Sequence, residues 1–101
     1  MSAPAKLTPD KAKRKITLFL DEGTVELSFH CRQESMRKRS VMLLDIVNAL
    51  KTGEVIQEPE WDDARQNWKY RVEGVDTEGD ELTAVTIIFD VNLTLFIVTV
   101  F

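Results

Sequence analysis

Residues that build metal centres and disulfide frameworks are scarce in this sequence. Its 101 residues include one cysteine and one histidine. A single cysteine cannot form an intramolecular disulfide, and a single histidine excludes a site built from several histidines. The sequence also has no phosphate-binding loop and no dinucleotide-binding fingerprint. We therefore expect neither a metal nor a cofactor.

No apolar run in the sequence is long enough and free enough of charge to span a bilayer. Residues 82–101 are strongly apolar, but Asp90 and Asn92 divide them into two shorter stretches. Residues 1–15 carry charges and no apolar segment, which is not the pattern of a secretory signal. With the lack of disulfides, these features predict a cytoplasmic protein without a membrane partner.

Acidic residues outnumber basic residues in the whole chain, but basic residues outnumber acidic ones in its first half. The formal net charge is −4, which argues mildly against a protein that coats nucleic acid. Residues 1–53 nevertheless contain ten Lys and Arg against six Asp and Glu, whereas residues 54–101 contain three against eleven. A basic face could therefore still meet a phosphate backbone. The alternative is that both halves are ordinary solvated surface.

The amino-terminal residues predict an arm ahead of one domain. A chain of 101 residues has room for a single domain. Pro4 and Pro9 interrupt regular structure in a charged stretch, which predicts a flexible arm over residues 1–15. The domain then covers residues 16–101.

Two short apolar stretches follow the arm. Residues 16–20 and 25–29 lie on either side of a turn at Gly23, which predicts a β-hairpin. The alternative is one long helix that continues from the arm through residue 20, since Ala12, Ile16 and Phe19 also fit helical spacing.

The central stretch predicts the helical part of the domain. Residues 31–38 are short, polar and compatible with a helix, and Ser40 offers an N-cap for a second helix over residues 42–51. Gly53 suits a left-handed residue at the end of that helix. One buried face is predicted from the spacing of Leu43, Leu44, Val47 and Leu50.

Everything after the helices predicts sheet. Val55 and Ile56 predict a brief strand, and residues 57–66 predict a loop in which Trp61 covers the core. Three strands follow, over residues 67–75, 82–90 and 93–101. Because short turns join them, they predict an antiparallel meander, with the last two strands in the middle of the sheet. Helices packed across one face of this sheet make a two-layer α+β fold.

His30 is the candidate for chemistry. It lies where a predicted strand ends and the first helix begins, and Arg32, Arg37, Lys38 and Arg39 follow within nine residues. Imidazole can take or give a proton near neutral pH, and arginine can hold a phosphodiester. On RNA the nucleophile would be the neighbouring 2′-hydroxyl, so no metal is needed. The alternative is that His30 caps the helix and the basic residues form a solvated face.

Cys31 is a weaker candidate. Adjacent residues point in different directions on a helix or a strand, so Cys31 and His30 are poorly placed as a nucleophile and its base. We expect Cys31 to be a small buried residue.

Several short motifs occur in order over residues 24–101. They are His30, Met36 and Arg39; Val41, Asp45, Ala49 and Leu50; Gly53-Glu54-Val55-Ile56; Trp68-Lys69-Tyr70-Arg71-Val72 with Gly74; Gly79-Asp80-Glu81-Leu82-Thr83-Ala84-Val85; and Ile97-Val98-Thr99-Val100-Phe101. This series resembles the signature of a family of small uncharacterised domains that is similar to MqsR and RelE-type toxins.

The resemblance implies a fold and an activity. The fold would be RelE-like, with an N-terminal helix pair packed on an antiparallel sheet of about four strands, as in barnase-like and colicin-type ribonucleases. Here an extra N-terminal strand or hairpin would be added to it. The activity would be that of a metal-independent RNA endonuclease of a toxin–antitoxin pair, with RNA and an antitoxin-like protein as partners.

The resemblance also implies roles for individual residues. His30 would be the acid or base, and Arg71, on the polar face of its strand, would bind or stabilise phosphate. Thr99, the polar member of the alternating set Leu95, Ile97, Thr99 and Phe101, would shape the catalytic site. The basic residues Arg37, Lys38 and Arg39 would bind substrate.

Each role has a structural alternative. Arg39 could brace the helix junction, Arg71 could form a cross-strand ion pair, and Thr99 could be an ordinary strand threonine. The whole chain could be a non-catalytic protein-interaction domain on the same fold, which would use its sheet edge or its arm. A ribonuclease predicts a basic patch that joins His30, Arg39 and Arg71. An interaction domain predicts these residues far apart or held in structural ion pairs.

Overall fold

The computed structural model of the chain describes residues 3–101, in which helices form one layer and strands the other. The helices are α1 (Pro9–Glu22), a π-helical turn (Cys31–Ser35) that continues directly as α2 (Met36–Arg39), and α3 (Leu43–Thr52). The strands are β1 (Thr24–Leu27), β2 (Glu54–Val55), β3 (Glu60–Asp62), β4 (Asn67–Val75), β5 (Glu81–Phe89) and β6 (Thr94–Val100). The predicted α+β class is confirmed.

The strands form one mixed sheet of six. Its order is β1-β6-β5-β4-β2, and β3 also pairs with β4. β1 runs parallel to β6, whereas all other pairs are antiparallel. The meander of β4, β5 and β6 and the inner positions of β5 and β6 agree with the prediction. The sheet is larger than the four strands expected, because β1 extends it beyond β6, and β2 and β3 share the other edge of β4.

The first helix replaces the predicted hairpin. The hydroxyl of Thr8 accepts a hydrogen bond from the first turn of α1, and Pro9 occupies its first position, where no amide is needed. One face of the helix is buried, at Ala12, Ile16 and Phe19. The hairpin prediction is therefore wrong and the helical alternative is correct. Residues 9–15, assigned to a flexible arm, form the first half of α1.

The residues before α1 also contact the sheet. The indole of Trp68 donates to the Pro4 carbonyl at 2.9 Å, and the Leu7 amide donates to the Tyr70 hydroxyl at 2.9 Å. Burial raises the pKa of that hydroxyl. Trp68 in turn packs edge-to-face against the half-buried Trp61 at 5.2 Å between ring centroids.

The start of α3 differs from the prediction. Ser40 is not an N-cap; it ends α2 in a left-handed conformation, with φ of 53°. The Met42 amide instead donates to the Asp45 carboxylate at 2.8 Å at the start of α3. The buried residues of α3 are Ile46, Ala49 and Leu50, whereas Leu43 and Leu44 are exposed.

Two glycines let α3 approach β4. Gly53 is extended, with φ of −82°, so the predicted left-handed conformation is wrong. A Cβ atom on Gly53 would lie 2.7 Å from Val72 Cγ1, and one on Gly74 would lie 2.2 Å from the Ala49 carbonyl oxygen. The absence of side chains at these positions therefore sets the distance between the layers.

The core lies between the helices and one face of the sheet. It is built from α1, Cys31, Val41, α3, and the inward-facing residues of the sheet, which include Tyr70, Val72, Leu82, Ala84, Leu95, Ile97 and Val100. Over residues 3–101, no helix is long and apolar enough to cross a membrane.

Candidate functional site

An irregularity in β6 decides which side of the sheet Thr99 occupies. Val85 of β5 pairs with Thr99 and Thr86 pairs with Ile97, which leaves Val98 as an extra residue. Leu95 and Ile97 keep their alternation and lie in the core, whereas Val98 and Thr99 both line a cleft on the opposite side. The predicted alternation from Leu95 through Thr99 is therefore wrong.

Arg71 and Thr99 lie in one row across three strands. Val85 pairs with Arg71 of β4 on one side and with Thr99 of β6 on the other. Since neighbouring strands lie about 4.8 Å apart, the Cα atoms of Arg71 and Thr99 are about 10 Å apart. The predicted alternation of β4, with Arg71 on the polar face and Tyr70 and Val72 in the core, agrees with this arrangement.

Two clefts meet at the end of β6. The first, of about 240 Å³, is lined by Glu58, Glu60, Lys69, Arg71, Val85, Val98, Thr99 and Phe101. The second, of about 310 Å³, lies between the helical segment 31–39 and the strand, and is lined by His30, Glu34, Ser35, Lys38, Arg39, Thr99, Val100 and Phe101. Thr99 and Phe101 line both clefts, so they join the surroundings of His30 to those of Arg71.

Most of the predicted site residues therefore come together. His30, Lys38 and Arg39 line one cleft, Arg71 lines the other, and Thr99 lines both. Arg37 is exposed and lines neither of these two clefts. Phe101, Lys69 and Glu34 also line these clefts, although the sequence motifs predicted no role for them.

His30 is held by a carboxylate four residues along the chain. Its Nδ1 lies 2.8 Å from Glu34 Oε2, and its side chain is 57% exposed. Because Nδ1 faces the carboxylate, Nε2 is the nitrogen left for a ligand or for proton transfer. The four-residue spacing of His30 and Glu34 was the sequence signal for this pair.

Ser35 connects the helical segment to Thr99. The two hydroxyl oxygens lie 2.7 Å apart, and Ser35 is buried whereas Thr99 is half-buried. Ser35 belongs to the π-helical turn, a rare local structure that is frequent at functional sites. The bond fixes the position of the helical wall of the second cleft relative to β6.

Arg71 is not neutralised by an ion pair. Its Nη1 donates to the Gln57 side chain at 3.1 Å, and its guanidinium lies 4.9 Å from the centre of the Phe101 ring. Its Nε is buried without a hydrogen-bond partner among the residues that the structure describes. Within that same part of the chain, no carboxylate lies at ion-pair distance from Arg71. The cross-strand ion pair is therefore not formed there.

Arg39 is bound to the main chain. Its Nη2 donates to the Glu81 carbonyl oxygen at 2.6 Å, at the start of β5. This contact joins the end of α2 to the sheet. Lys38, which lines the same cleft, is exposed.

Cys31 lies in the core and lines neither cleft. Cys31 is fully buried in the core, and burial raises the pKa of its thiol. It therefore lacks the thiolate character of a nucleophile. Between residues 3 and 101, no three His, Cys, Asp or Glu side chains are grouped as a metal site would need.

Both clefts lie within the part of the chain that matches a known protein family. Residues 27–101 match a family described as a domain of unknown function, DUF4258. The matched region contains the π-helical turn and every strand after β1, and therefore all the residues of both clefts. No curated protein and no solved structure gives a significant match to the chain.

Proposed function

We propose that this chain, which belongs to the DUF4258 family, is a metal-independent RNA endonuclease of the toxin–antitoxin kind, with a RelE-like fold and a cytoplasmic site of action. One observation carries the proposal: Thr99 and Phe101 line both the cleft of His30 and the cleft of Arg71. An acid or base and an unneutralised guanidinium thus face one continuous surface. The RelE-like assignment is supported by an antiparallel meander with short helices at the end of its last strand.

In the proposed reaction the RNA supplies its own nucleophile. His30 Nε2 takes the proton of a 2′-hydroxyl, whose oxygen then bonds to the adjacent phosphorus as the bond to the 5′-oxygen breaks. The leaving 5′-oxygen takes a proton from water, and the products are a 2′,3′-cyclic phosphate and a 5′-hydroxyl. Glu34 at Nδ1 orients the imidazole so that Nε2 faces the substrate.

Arg71 suits the stabilisation of the negative charge that develops at phosphorus. Its guanidinium lines the first cleft, where Nη1 donates to the neutral Gln57 side chain. A phosphate oxygen in that cleft can accept from the Nη atoms, and their positive charge would stabilise the transition state. Lys38, in the cleft of His30, supplies a second positive charge.

The overall charge restricts how such an enzyme binds RNA. A net charge of −4 weakens affinity for phosphate backbones in general, since neutralised phosphates supply most non-specific binding. The proposed enzyme therefore depends on local contacts in the two clefts rather than on a broad basic surface.

The test is cleavage of single-stranded RNA by the purified chain in EDTA. We expect the wild type to cleave and the variants His30→Ala and Arg71→Ala to lose at least about 100-fold in rate, which is typical for a general base or a charge-stabilising group. Arg14→Ala, on the exposed surface of α1, is the matched control and should cleave as the wild type does. Equal cleavage by all four proteins would remove His30 and Arg71 from the mechanism.

A second candidate is the non-catalytic interaction domain, and the edge of the sheet favours it. Among residues 3–101, β1 is the last strand on its side of the sheet, so one of its backbone edges is unpaired there. Leu43 lines a shallow cleft with Val25 and Leu27 of that strand, and Phe29 and Leu44 are exposed nearby in the chain. An unpaired edge beside apolar side chains suits the addition of an extended strand from a partner.

We propose an extended segment of an antitoxin-like protein as the occupant of this edge. Co-expression with the product of the neighbouring reading frame tests it, with Leu43→Glu as the variant and Val91→Glu, in the turn before β6, as the control. Loss of co-purification in Leu43→Glu alone supports binding at β1. Equal co-purification of both variants would place the partner elsewhere.

A further inference from the structure

The face of the sheet that is turned away from α1 and α3, here called the outer face, carries two rows of side chains. One is the row of Arg71, Val85 and Thr99 described above. The other begins with Lys69, which pairs with Ile87, which in turn pairs with Phe96. The second row lies two residues farther along each of β4 and β5, about 7 Å from the first.

Each row is accompanied by an arginine placed over a phenylalanine ring. Arg71 lies 4.9 Å from the centre of the Phe101 ring, and Arg65 lies 5.0 Å from the centre of the Phe96 ring. Arg65 is held by an ion pair with Asp62 at 2.8 Å. The outer face thus presents the same combination twice, a planar cation on an aromatic ring, and Lys69 lies at the β4 end of the second row.

We propose that the outer face binds a single strand of RNA across at least two nucleotides, with one base against Phe101 and Arg71 and another against Phe96 and Arg65. The proposal rests on the proposed function and names its substrate class and a subsite outside both clefts. Aromatic rings and guanidinium planes stack on the faces of any base, so this surface is suited to unpaired bases. Lys69, which lines the first cleft and begins the second row, supplies a positive charge for a phosphate of the same strand.

The charges on this face indicate that stacking contributes more than phosphate contacts. Glu60 lies opposite Lys69 in the register of β3 and β4, and Asp62 forms an ion pair with Arg65. Each carboxylate offsets part of the attraction of its neighbour for phosphate. Since each phosphate contact on a single strand contributes about −0.7 to the slope of log affinity against log salt, we expect a slope no steeper than about −2.

The variant Phe96→Leu removes the ring at the second subsite and keeps an apolar side chain. Leu18→Ala is the control, because Leu18 is an exposed apolar residue of α1 that lines neither cleft. The measured quantity is kcat/KM for a hexanucleotide divided by that for a dinucleotide, whose cleavage needs only the clefts. We expect Phe96→Leu to lower this ratio about 5- to 100-fold, the loss of one stacked base, with no change for the dinucleotide.

Two further variants keep the test independent of folding. Phe96→Trp should restore the hexanucleotide advantage, whereas Arg65→Gln should lower it without altering the ring. An unchanged ratio in folded Phe96→Leu and Arg65→Gln overturns the second subsite and leaves the proposed ribonuclease standing.

Binding separates the remaining outcomes. Fluorescence anisotropy with a labelled hexanucleotide and with a hairpin duplex reports affinity without cleavage. The wild type could bind the hexanucleotide without cleaving it, and Phe96→Leu could bind it more weakly. These two results together would support the RNA-binding surface and overturn the proposed nuclease. No binding of either RNA overturns both, and equal binding of the duplex overturns the preference for unpaired bases.

Discussion

The hydrogen bond between Ser35 and Thr99 allows the structural and functional roles of Thr99 to be separated. The two oxygens lie 2.7 Å apart, between the π-helical turn and β6. Thr99→Val removes the hydroxyl from the strand and keeps the shape of the side chain. Ser35→Ala removes the partner and leaves the Thr99 hydroxyl at the clefts.

The two variants should differ in their cost because the two residues differ in burial. Ser35 is 5% exposed, so Thr99→Val leaves a buried hydroxyl unpaired at a cost of about 1–3 kcal/mol. Thr99 is half-buried beside open clefts, so in Ser35→Ala its hydroxyl can bond to water, and the cost is about 0.5–1.5 kcal/mol. The double variant removes both groups and should cost about 1 kcal/mol less than the sum.

Urea unfolding of the four proteins measures these free energies. At the size of this domain, 1 kcal/mol corresponds to a Tm change of about 4–8 °C, so thermal unfolding gives a second reading. Additive costs, or a Thr99→Val variant as stable as the wild type, would refute the bond and the rigid junction inferred from it.

Cleavage then tests the role of the Thr99 hydroxyl at the site. We expect Ser35→Ala to keep most of its activity, since the hydroxyl of Thr99 is still present. We expect Thr99→Val to lose activity at a temperature where it is fully folded. Equal losses in the two variants would assign Thr99 a structural role alone.

Three further predictions concern stability and reactivity. Gly74→Ala should destabilise the fold by about 1–3 kcal/mol or more in urea unfolding, because its methyl group would meet the Ala49 carbonyl, and an unchanged midpoint would contradict the close approach. Hydrogen bonds from the Thr77 side chain and backbone lower the pKa of Asp45. The stability that the ionised Asp45 carboxylate contributes should therefore be present above about pH 4 and lost as the pH falls through its pKa in the folded protein. The difference in unfolding free energy between the wild type and Asp45→Asn should shrink in acid. The Cys31 thiol should react with a thiol reagent only at the rate of unfolding, and fast labelling of the native protein would contradict its burial.

Predictions from the local sequence pattern agree with the structure where the pattern is compatible with a single arrangement. The strands from Asn67 to Val100 alternate or are apolar on both faces, and short polar turns separate them, so only a meander accommodates them. The first helix was ambiguous because the apolar stretch of residues 16–20 is compatible with a strand, whereas Ala12, Ile16 and Phe19 fit helical spacing. Thr8 and Pro9, which together mark a helix start, were the local signal that separates the two.

The candidate site depended on contacts that no local pattern carries. His30 and its basic neighbours could be singled out because their chemistry is visible in the sequence. The cleft of His30 meets the cleft of Arg71 because Val98 is an extra residue in β6. This bulge places Thr99 and Phe101 on the side of the sheet away from the core. A bulge depends on the pairing of two strands, so the apolar sequence of β6 alone does not show it.

By itself, the sequence determined the α+β class, the meander and the residues able to carry acid–base and phosphate chemistry, because these follow from side-chain identity and from periods of two and 3.6 residues. Tertiary structure alone decided that β1 would pair in parallel with β6 and that α3 would bury Ile46 rather than Leu44. It also decided that two clefts would meet at Thr99. The reason is physical: each of these outcomes is a competition between distant segments for one surface, and it is settled only when both segments are in place.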